Sequence, residues 1–209
     1  MSEISKNIAV CILAAGESIR MGNVVKQLLP WGNTTLLGSA IQLAKSVEKT
    51  SEVIVVLGAF EAEIKKALRS ELENVTVLIN KNWKEGMGGS IGCLGNYLSQ
   101  IEEVPGGVLM LLGDQPFIKI SHLEKLIKAF NKGDKGIVAT GMGEKAGVPA
   151  IFSSKYFPLL KGLKGKGGAQ KIIRDNPEDV MIACIENRSL YDIDTMEEYR
   201  RHYRNSKKL

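Results

Sequence analysis

The sequence contains few of the residues that build disulfide frameworks and histidine-rich metal sites. Only three cysteines, Cys11, Cys93 and Cys184, are scattered over 209 residues. Their odd number and wide spacing exclude a disulfide framework and a zinc motif, so we expect small, buried, free thiols in a reducing cytoplasm. The two histidines, His122 and His202, are too few for a histidine-rich metal centre.

Long apolar runs are also missing. No stretch reaches the roughly 18 apolar residues of a membrane span, and the N-terminal segment lacks the pattern of a secretion signal. We therefore expect a soluble cytoplasmic protein with no membrane partner. The net charge of +5 is modest and comes without interleaved aromatic residues, which argues against a nucleic-acid partner. The length and the absence of a linker predict one domain over residues 1–209, with a fraying basic tail from 204.

Short apolar runs alternate with amphipathic segments in the first half of the chain. This alternation is typical of right-handed βαβ units and predicts an α/β fold, with a mostly parallel sheet covered by helices on both faces. The predicted strands are 8–14, 53–57, 75–79 and 108–112. The predicted helices are 36–48, 61–70 and 90–101.

The second half predicts an antiparallel excursion in the sheet and a C-terminal helix. Ser121 and Glu124 have the spacing of a capping box that opens a helix to about residue 130, with His122 exposed at its first position. Thr195 and Glu198 repeat that pattern before the final helix. The remaining predicted segments are strands at 137–140, 149–152 and 190–194, a helix at 169–176 and an extended stretch at 180–185.

The loop after the first predicted strand has the composition of an anion site. Ala14, Ala15 and Gly16 are small enough to let a ligand approach the backbone, and Arg20 and Lys26 supply positive charge beside them. In open α/β sheets, ligands bind outside the carboxyl ends of the strands. The glycine spacing matches neither a dinucleotide fingerprint nor a Walker loop.

Carboxylates follow two other predicted strands. Asp114 ends the run 108–112 and is suited to hold Mg²⁺ together with phosphates, although it could equally begin a turn shaped by Pro116. Asp192 and Asp194 alternate in sequence and would share one face of a strand. Either of them could be the second metal ligand.

A glycine-rich segment follows the third predicted strand. Gly86, Gly88 and Gly89 predict a flexible loop, and Ser90 is placed to cap the next helix, whose N-terminus suits an anion. Trp83 could stack on a base, but packing in the protein is its more common role.

The motifs LAAGESIRMG, LLPWG, GMGGS, GDQP, GVPAIF and DIDT together resemble those of the MobA-like nucleotidyltransferases, most closely the molybdenum cofactor cytidylyltransferases. The resemblance extends from Ile8 to about Tyr203. It implies a Rossmann-like three-layer sandwich of the glycosyltransferase-A type. It also implies Mg²⁺-dependent transfer of CMP from CTP to the phosphate of the molybdenum cofactor, release of pyrophosphate, and a molybdoenzyme that receives the product.

The resemblance further implies a role for individual residues. The implied nucleotide-binding residues are Leu13, Ala14, Ala15, Gly16, Arg20, Lys26, Gly86, Met87 and Ser90. The implied acceptor-binding residues are Gln115, Pro116, Pro149 and Phe152. The implied metal ligands are Asp114 and Asp194, and the implied catalytic residues are Arg20, Lys26 and Asp114.

Two departures from the family pattern keep alternatives open. Three residues, 23–25, separate Gly22 from Lys26 where the family has two, and Lys166 and Gln170 replace a usual acid and a usual arginine. The acceptor could therefore be a sugar 1-phosphate or a similar compound, and the nucleotide could be GTP. A non-catalytic chaperone for the cofactor is a third reading.

Overall fold

A computed structural model describes residues 7–22, 24–143, 145–184 and 191–206 of the chain. The predicted alternation of strands and helices is confirmed. The strands are β1 (Ile8–Leu13), β2 (Pro30–Trp31), β3 (Thr34–Thr35), β4 (Thr50–Leu57), β5 (Thr76–Ile79), β6 (Gly107–Leu112), β7 (Ile137–Met142), β8 (Lys145–Ser153) and β9 (Val180–Ala183). The helices are α1 (Leu36–Lys45), α2 (Glu61–Ala67), α3 (Met87–Leu98), α4 (Ile120–Lys132), α5 (Phe157–Lys161), α6 (Ala169–Asp175) and α7 (Met196–Ser206).

The described strands form a seven-stranded sheet in the order β5-β4-β1-β6-β8-β7-β9. Only β8 runs against the others, since it pairs antiparallel with both β6 and β7, while the remaining neighbours pair in parallel. The predicted α/β class, the mostly parallel sheet and the antiparallel excursion are therefore confirmed. A separate two-stranded pair, β2 and β3, follows the loop after β1.

Helices cover both faces of the sheet, as strands that are apolar on both sides require. One apolar cluster joins the sheet to α1, α2 and α4, and a second joins its other face to α3, α5 and α6. Every residue of β1 is buried, and its side chains alternate between the two clusters. The three layers place β1 and β6 at the centre, with their carboxyl ends side by side in register.

The prediction for the start of α4 was wrong. The helix begins at Ile120, with Lys119 at its N-cap, so Ser121 lies inside it and caps nothing. His122 is 3% exposed instead of lying on the surface. Its Nε2 lies 3.2 Å from the Thr140 hydroxyl, and this polar partner allows an imidazole to be buried.

The cysteines only partly match the expectation of burial. Cys11 is buried in β1, Cys93 is half-buried and Cys184 is exposed. Burial raises the pKa of the Cys11 thiol, with a smaller contribution from Cys93. None of the described helices is long and apolar enough to cross a membrane.

Candidate active site

The loop after β1 is folded back on itself by a buried amide. The Gln27 Nε2 donates to the carbonyl oxygens of Ala14, at 3.1 Å, and Gly16, at 2.8 Å. The backbone N–H of Ala14 donates to Val56 in β4. Gln27 is 5% exposed, so these bonds hold the small residues of the loop open toward one side. Sequence reasoning missed Gln27, although a polar residue among apolar ones after Lys26 was a usable signal.

Lys26 brings the distant charged residues together. A short 3-10 helix, Lys26–Leu28, directs its side chain inward, and its ammonium lies 2.6 Å from Asp114 Oδ2 and 3.2 Å from Asp194 Oδ1. The guanidinium of Arg20 lies 2.8 Å from Asp194 Oδ2. The predicted catalytic and metal-binding residues therefore form one ion-pair network, despite the longer loop before Lys26.

Asp114 lies directly beyond the carboxyl end of β6. The N–H of Gly113 donates to Leu13 at 3.1 Å, which fixes the two strand ends against each other. A side chain at Gly113 would meet Ala14 and Leu37 at 3.2 to 3.3 Å, so the glycine allows this close approach. One oxygen of Asp114, Oδ1, is buried and has no hydrogen-bond partner among the described residues.

The predicted strand 190–194 is not formed in its described part. Residue 190 lies outside the described residues, and 191–194 have no regular structure. Instead, fully buried Ile193 anchors the segment in an apolar cluster, and its N–H donates to the Asp114 carbonyl at 3.0 Å. Because Ile193 faces inward, Asp192 and Asp194 on either side both reach the cavity, as their alternation predicted.

The two carboxylates of this segment have different surroundings. Asp194 pairs with Lys26 and Arg20, whereas Asp192 accepts a hydrogen bond from the amide of Gln115 at 2.8 Å. Partial desolvation within the cavity, followed by repulsion from Asp114, raises the pKa of Asp192. Asp194 is therefore the carboxylate of this segment that joins Asp114 in the ion-pair network.

The predicted capping box at the start of α7 is confirmed. Glu198 accepts hydrogen bonds from the N–H groups of Asp194 and Thr195, each at 2.9 Å, and its own N–H donates to the Thr195 hydroxyl at 3.2 Å. The bond from Asp194 is the main cause of a lowered pKa at Glu198. The helix start thus fixes the backbone of Asp194.

The opposite wall is formed by the start of α3. The helix begins at Met87 with Gly86 at its N-cap, so the prediction that Ser90 caps it was wrong. Ser90 lies one turn inside, is 4% exposed, and accepts a hydrogen bond from Asn80 at 3.0 Å. Trp83, in the turn before the helix, also lines the cavity.

Backbone contacts join α3 to the segment 161–168. The N–H of Gly88 donates to the Gly165 carbonyl at 2.9 Å. A side chain at Gly88 would lie 2.5 Å from the carbonyls of Lys164 and Gly167, and one at Gly95 would overlap the backbone of Lys161. Gly88 and Gly95 are therefore packing residues of α3, and Gly88 is not part of a flexible loop as predicted.

A cavity of about 670 Å³ opens at this edge of the sheet, within the size range of small-molecule sites. All the residues predicted to bind nucleotide line it, together with Asp114 and Asp194; their roles remain a prediction. The nucleotide-binding set around the cavity is Leu13, Ala14, Ala15, Gly16, Arg20, Lys26, Gly86, Met87 and Ser90.

The residues predicted to bind the acceptor do not line this cavity. Phe152 is fully buried in the core and Pro149 is buried in β8, and their role at an acceptor pocket stays a prediction. Gln115 and Pro116 lie one and two residues beyond Asp114, and Gln115 reaches the site only through its bond to Asp192.

The oxygen donors fit a divalent ion of the Mg²⁺ type. Among the described residues, no group of three or more His, Cys, Asp or Glu side chains is placed to hold a metal. Mg²⁺ is usually held by one or two carboxylates with substrate phosphates completing its shell. The unpartnered Asp114 Oδ1 and the nearby Asp194 carboxylate supply that number.

The chain is similar to known proteins over most of its length. Nicotine blue oxidoreductase of Paenarthrobacter nicotinovorans is 28% identical over 196 residues, which cover 90% of this chain and 92% of that protein. The crystal structure of Rv0371c from Mycobacterium tuberculosis H37Rv has a TM-score of 0.81 at 26% identity, covering 96% of this chain and 98% of that one. A manganese complex of Rv0371c, at 24% identity and a TM-score of 0.79 over 96% and 99% of the two chains, shows the fold alone.

The family model of the MobA-like NTP transferase domain matches residues 10–180. The match begins within β1 and ends at the start of β9, so it contains Lys26, Asp114 and most of the cavity wall. The chain belongs to the MobA-like NTP transferase family.

Proposed function

We propose that the protein transfers a nucleoside monophosphate from an NTP to a phosphorylated small molecule, with release of pyrophosphate. The observation that carries the proposal is the convergence of Lys26, Arg20, Asp114 and Asp194 on one cavity at the carboxyl ends of β1 and β6. A binding protein without chemistry has no need of paired carboxylates that fit a metal.

The loop after β1 is the proposed triphosphate site. Residues 14–16 present their backbone to the cavity, while Lys26 and Arg20 supply the positive charge that stabilises the departing pyrophosphate. Gln27 maintains the loop shape through its two hydrogen bonds. Binding here positions the α-phosphorus toward the wall that carries Asp114 and Asp194.

Asp114 and Asp194 would hold Mg²⁺, which supplies charge neutralisation at the phosphates when it is bound. The proposed attack needs no side-chain nucleophile, because a terminal phosphate of the acceptor is already an anion near neutral pH. The protein therefore contributes orientation and electrostatic stabilisation.

CTP and the molybdenum cofactor are the proposed substrate pair. Support comes from the motif resemblance of the sequence. Lys166 and Gln170 stand where the family has an acid and an arginine, so the test below varies the acceptor as well as the nucleotide. Lys166 lies beside Gly86, which lines the cavity: a Cβ atom added to Gly86 would be 3.0 Å from the Lys166 Cα. Lys166 is therefore at the rim of the cavity.

The test is release of pyrophosphate by the purified protein with Mg²⁺. CTP, GTP, ATP and UTP are each supplied alone, with molybdenum cofactor, and with sugar 1-phosphates. We expect release only with CTP and the molybdenum cofactor together. Release with another pair would correct the substrates, and tight binding of CTP without release from any pair would favour the cofactor-chaperone reading.

A redox activity is the second candidate, because the relative aligned over 90% of this chain is named an oxidoreductase. The dinucleotide fingerprint is absent from the loop after β1, so a nicotinamide cofactor would have to bind in another way. Oxidation of NADH or NADPH with a quinone-like dye as acceptor tests this candidate. Turnover that continues in Asp114→Asn would favour it over nucleotidyl transfer.

A further inference from the structure

The carboxylates of the proposed metal site share a cation that belongs to the protein. The ammonium of Lys26 contacts Asp114 Oδ2 at 2.6 Å and Asp194 Oδ1 at 3.2 Å. The Lys26 side chain is 11% exposed, whereas that of Arg20, which contacts the other oxygen of Asp194, is 69% exposed. Lys26 is therefore the inner cation of the network and Arg20 the outer one.

The base of the Lys26 side chain is fixed. Its neighbour Gln27 is tied to the carbonyls of Ala14 and Gly16, and both residues belong to the same short helix. The ammonium can swing at the end of a long flexible stem, but the backbone below it is held in place. Lys26 can thus exchange partners within the cavity without a rearrangement of the loop.

A divalent cation held by Asp114 and Asp194 would compete with the ammonium for their oxygens. Asp114 Oδ1 is open to such an ion, but both oxygens of Asp194 are taken, Oδ1 by Lys26 and Oδ2 by Arg20. Mg²⁺ and Mn²⁺ require carboxylate oxygens at close range in a well-defined shell, so an ion that bridges the two carboxylates takes the place of the ammonium that now contacts both. Displacing Lys26 without a new partner leaves a positive charge largely removed from water, which is costly. The phosphates of an NTP are the partner that the proposed function supplies.

We infer that Lys26 is an internal counter-ion that occupies the carboxylate pair until nucleotide draws it away, so that divalent metal and NTP bind cooperatively. The inference rests on the proposed function for the identity of the nucleotide. It gives Lys26 two successive partners, first the carboxylates and then the phosphates. Metal alone should bind weakly, and nucleotide and metal should each tighten the binding of the other by the same factor.

The test is Mn²⁺ binding to chelator-treated protein, followed by the electron paramagnetic resonance signal of free Mn²⁺. We expect Lys26→Met to bind Mn²⁺ alone about tenfold or more tightly than the unmodified protein, which is the usual size of such a coupling. Lys84→Met is the matched control, because Lys84 lines the same cavity but lies over the ring of Trp83. Its Mn²⁺ affinity should change by less than about twofold, as for an exposed charge in water.

Lys26→Arg and the unmodified protein keep the inference testable if Lys26→Met does not fold by circular dichroism. Lys26→Arg retains the positive charge and should retain weak Mn²⁺ binding. In the unmodified protein, CTP should tighten Mn²⁺ binding about tenfold beyond the affinity of CTP itself for the ion. Equal Mn²⁺ affinity in folded Lys26→Met and unmodified protein, or no effect of any of CTP, GTP, ATP and UTP, would overturn the inference.

These readouts do not depend on turnover. If Lys26→Met binds Mn²⁺ tightly while the unmodified protein releases no pyrophosphate from any NTP, the counter-ion role is supported and the proposed function is rejected. If the unmodified protein releases pyrophosphate but Lys26→Met leaves Mn²⁺ binding unchanged, the proposed function is supported and the counter-ion role is rejected.

Discussion

Two polar groups in opposite halves of the sheet are built in contrasting ways. At the carboxyl ends of β1 and β6, Lys26, Asp114 and Asp194 are charged and face a cavity. In the antiparallel half, His122 is buried against Thr140. The first group brings three charged side chains together at a cavity, which folding does not require. The second is a single imidazole with one hydrogen-bond partner, which a buried position allows.

The hydrogen bonds at His122 also define its tautomer. The Thr140 hydroxyl donates its only proton to the Pro149 carbonyl at 2.6 Å, so it accepts from His122 Nε2. Nδ1 is then unprotonated, and in the described part of the chain no group donates a hydrogen bond to it. Burial, with added repulsion from Lys125, lowers the pKa of His122 to about 4. The charged group at the cavity is the proposed ligand site and His122 belongs to the core, so each can be altered without the other.

The largest expected effect is on catalysis by Asp114→Asn. The variant keeps the shape of the side chain but loses the charge that holds metal, so pyrophosphate release should fall by about 100- to 1,000-fold. Lys26 keeps Asp194 as its counter-charge, so the stability in urea should change by only about 1–2 kcal/mol. Asp134→Asn, on the exposed turn after α4, is the control. Full activity of Asp114→Asn would remove Asp114 from the mechanism.

For His122→Gln we expect a change in the pH dependence of stability and no change in activity. The glutamine offers a side-chain amide to Thr140 but does not titrate. In the unmodified protein, His122 affects stability little above pH 6.5, because it is then neutral in both states. As the pH falls, the unfolded chain takes up the proton first, and stability declines by up to about 3 kcal/mol until the pH reaches about 4.

Urea denaturation at several pH values measures this loss. His122→Gln should show less of it and retain activity at neutral pH, while His202→Gln should behave like the unmodified protein. A pH dependence that survives unchanged in His122→Gln would assign the effect to other groups.

Packing of the cavity wall should respond to Gly95→Ala. A methyl group there overlaps the backbone of Lys161, and overpacking of this kind costs about 1–3 kcal/mol. Gly89→Ala in the same helix has its nearest atom at 3.4 Å, in ordinary contact, and should gain up to about 1 kcal/mol from helix propensity. Similar urea midpoints for the two variants would contradict the close approach of α3 to segment 161–168.

The smallest effect is expected for Thr195→Ala, which removes the hydroxyl that caps α7. Loss of such a cap costs about 1 kcal/mol. Because Glu198 still holds the Asp194 backbone, activity should fall only a few-fold, which pyrophosphate release would measure. A loss as large as that of Asp114→Asn would mean that the cap has a direct catalytic role.

Much of the fold could be predicted because its signals are local. The runs that form β1, β4, β5 and β6 are short and apolar on both faces, and such runs fit a covered parallel sheet. His122 was misplaced because helix periodicity and a capping pattern outweighed a tertiary contact with Thr140, 18 residues away. No local pattern reports such a partner.

The sequence predicted which residues belong to the candidate site but not which of them contact each other. Lys26 and the carboxylates could be named from their motifs, yet their contacts join residues 88 and 168 positions apart. The segment that carries Asp194 reaches the site through the buried side chain and N–H of Ile193, not through strand pairing. An irregular segment held by one buried residue leaves no periodic signal.

The contact between α3 and segment 161–168 has a consequence for the divergence of related enzymes. Because carbonyl groups and glycines make the contact, the position of the cavity rim does not depend on which side chains the segment carries. Lys164 and Lys166 are exposed there and can be exchanged at little cost in stability. Under the proposed function, a duplicated gene could thus change its acceptor through a few surface substitutions while the backbone of the rim keeps its place.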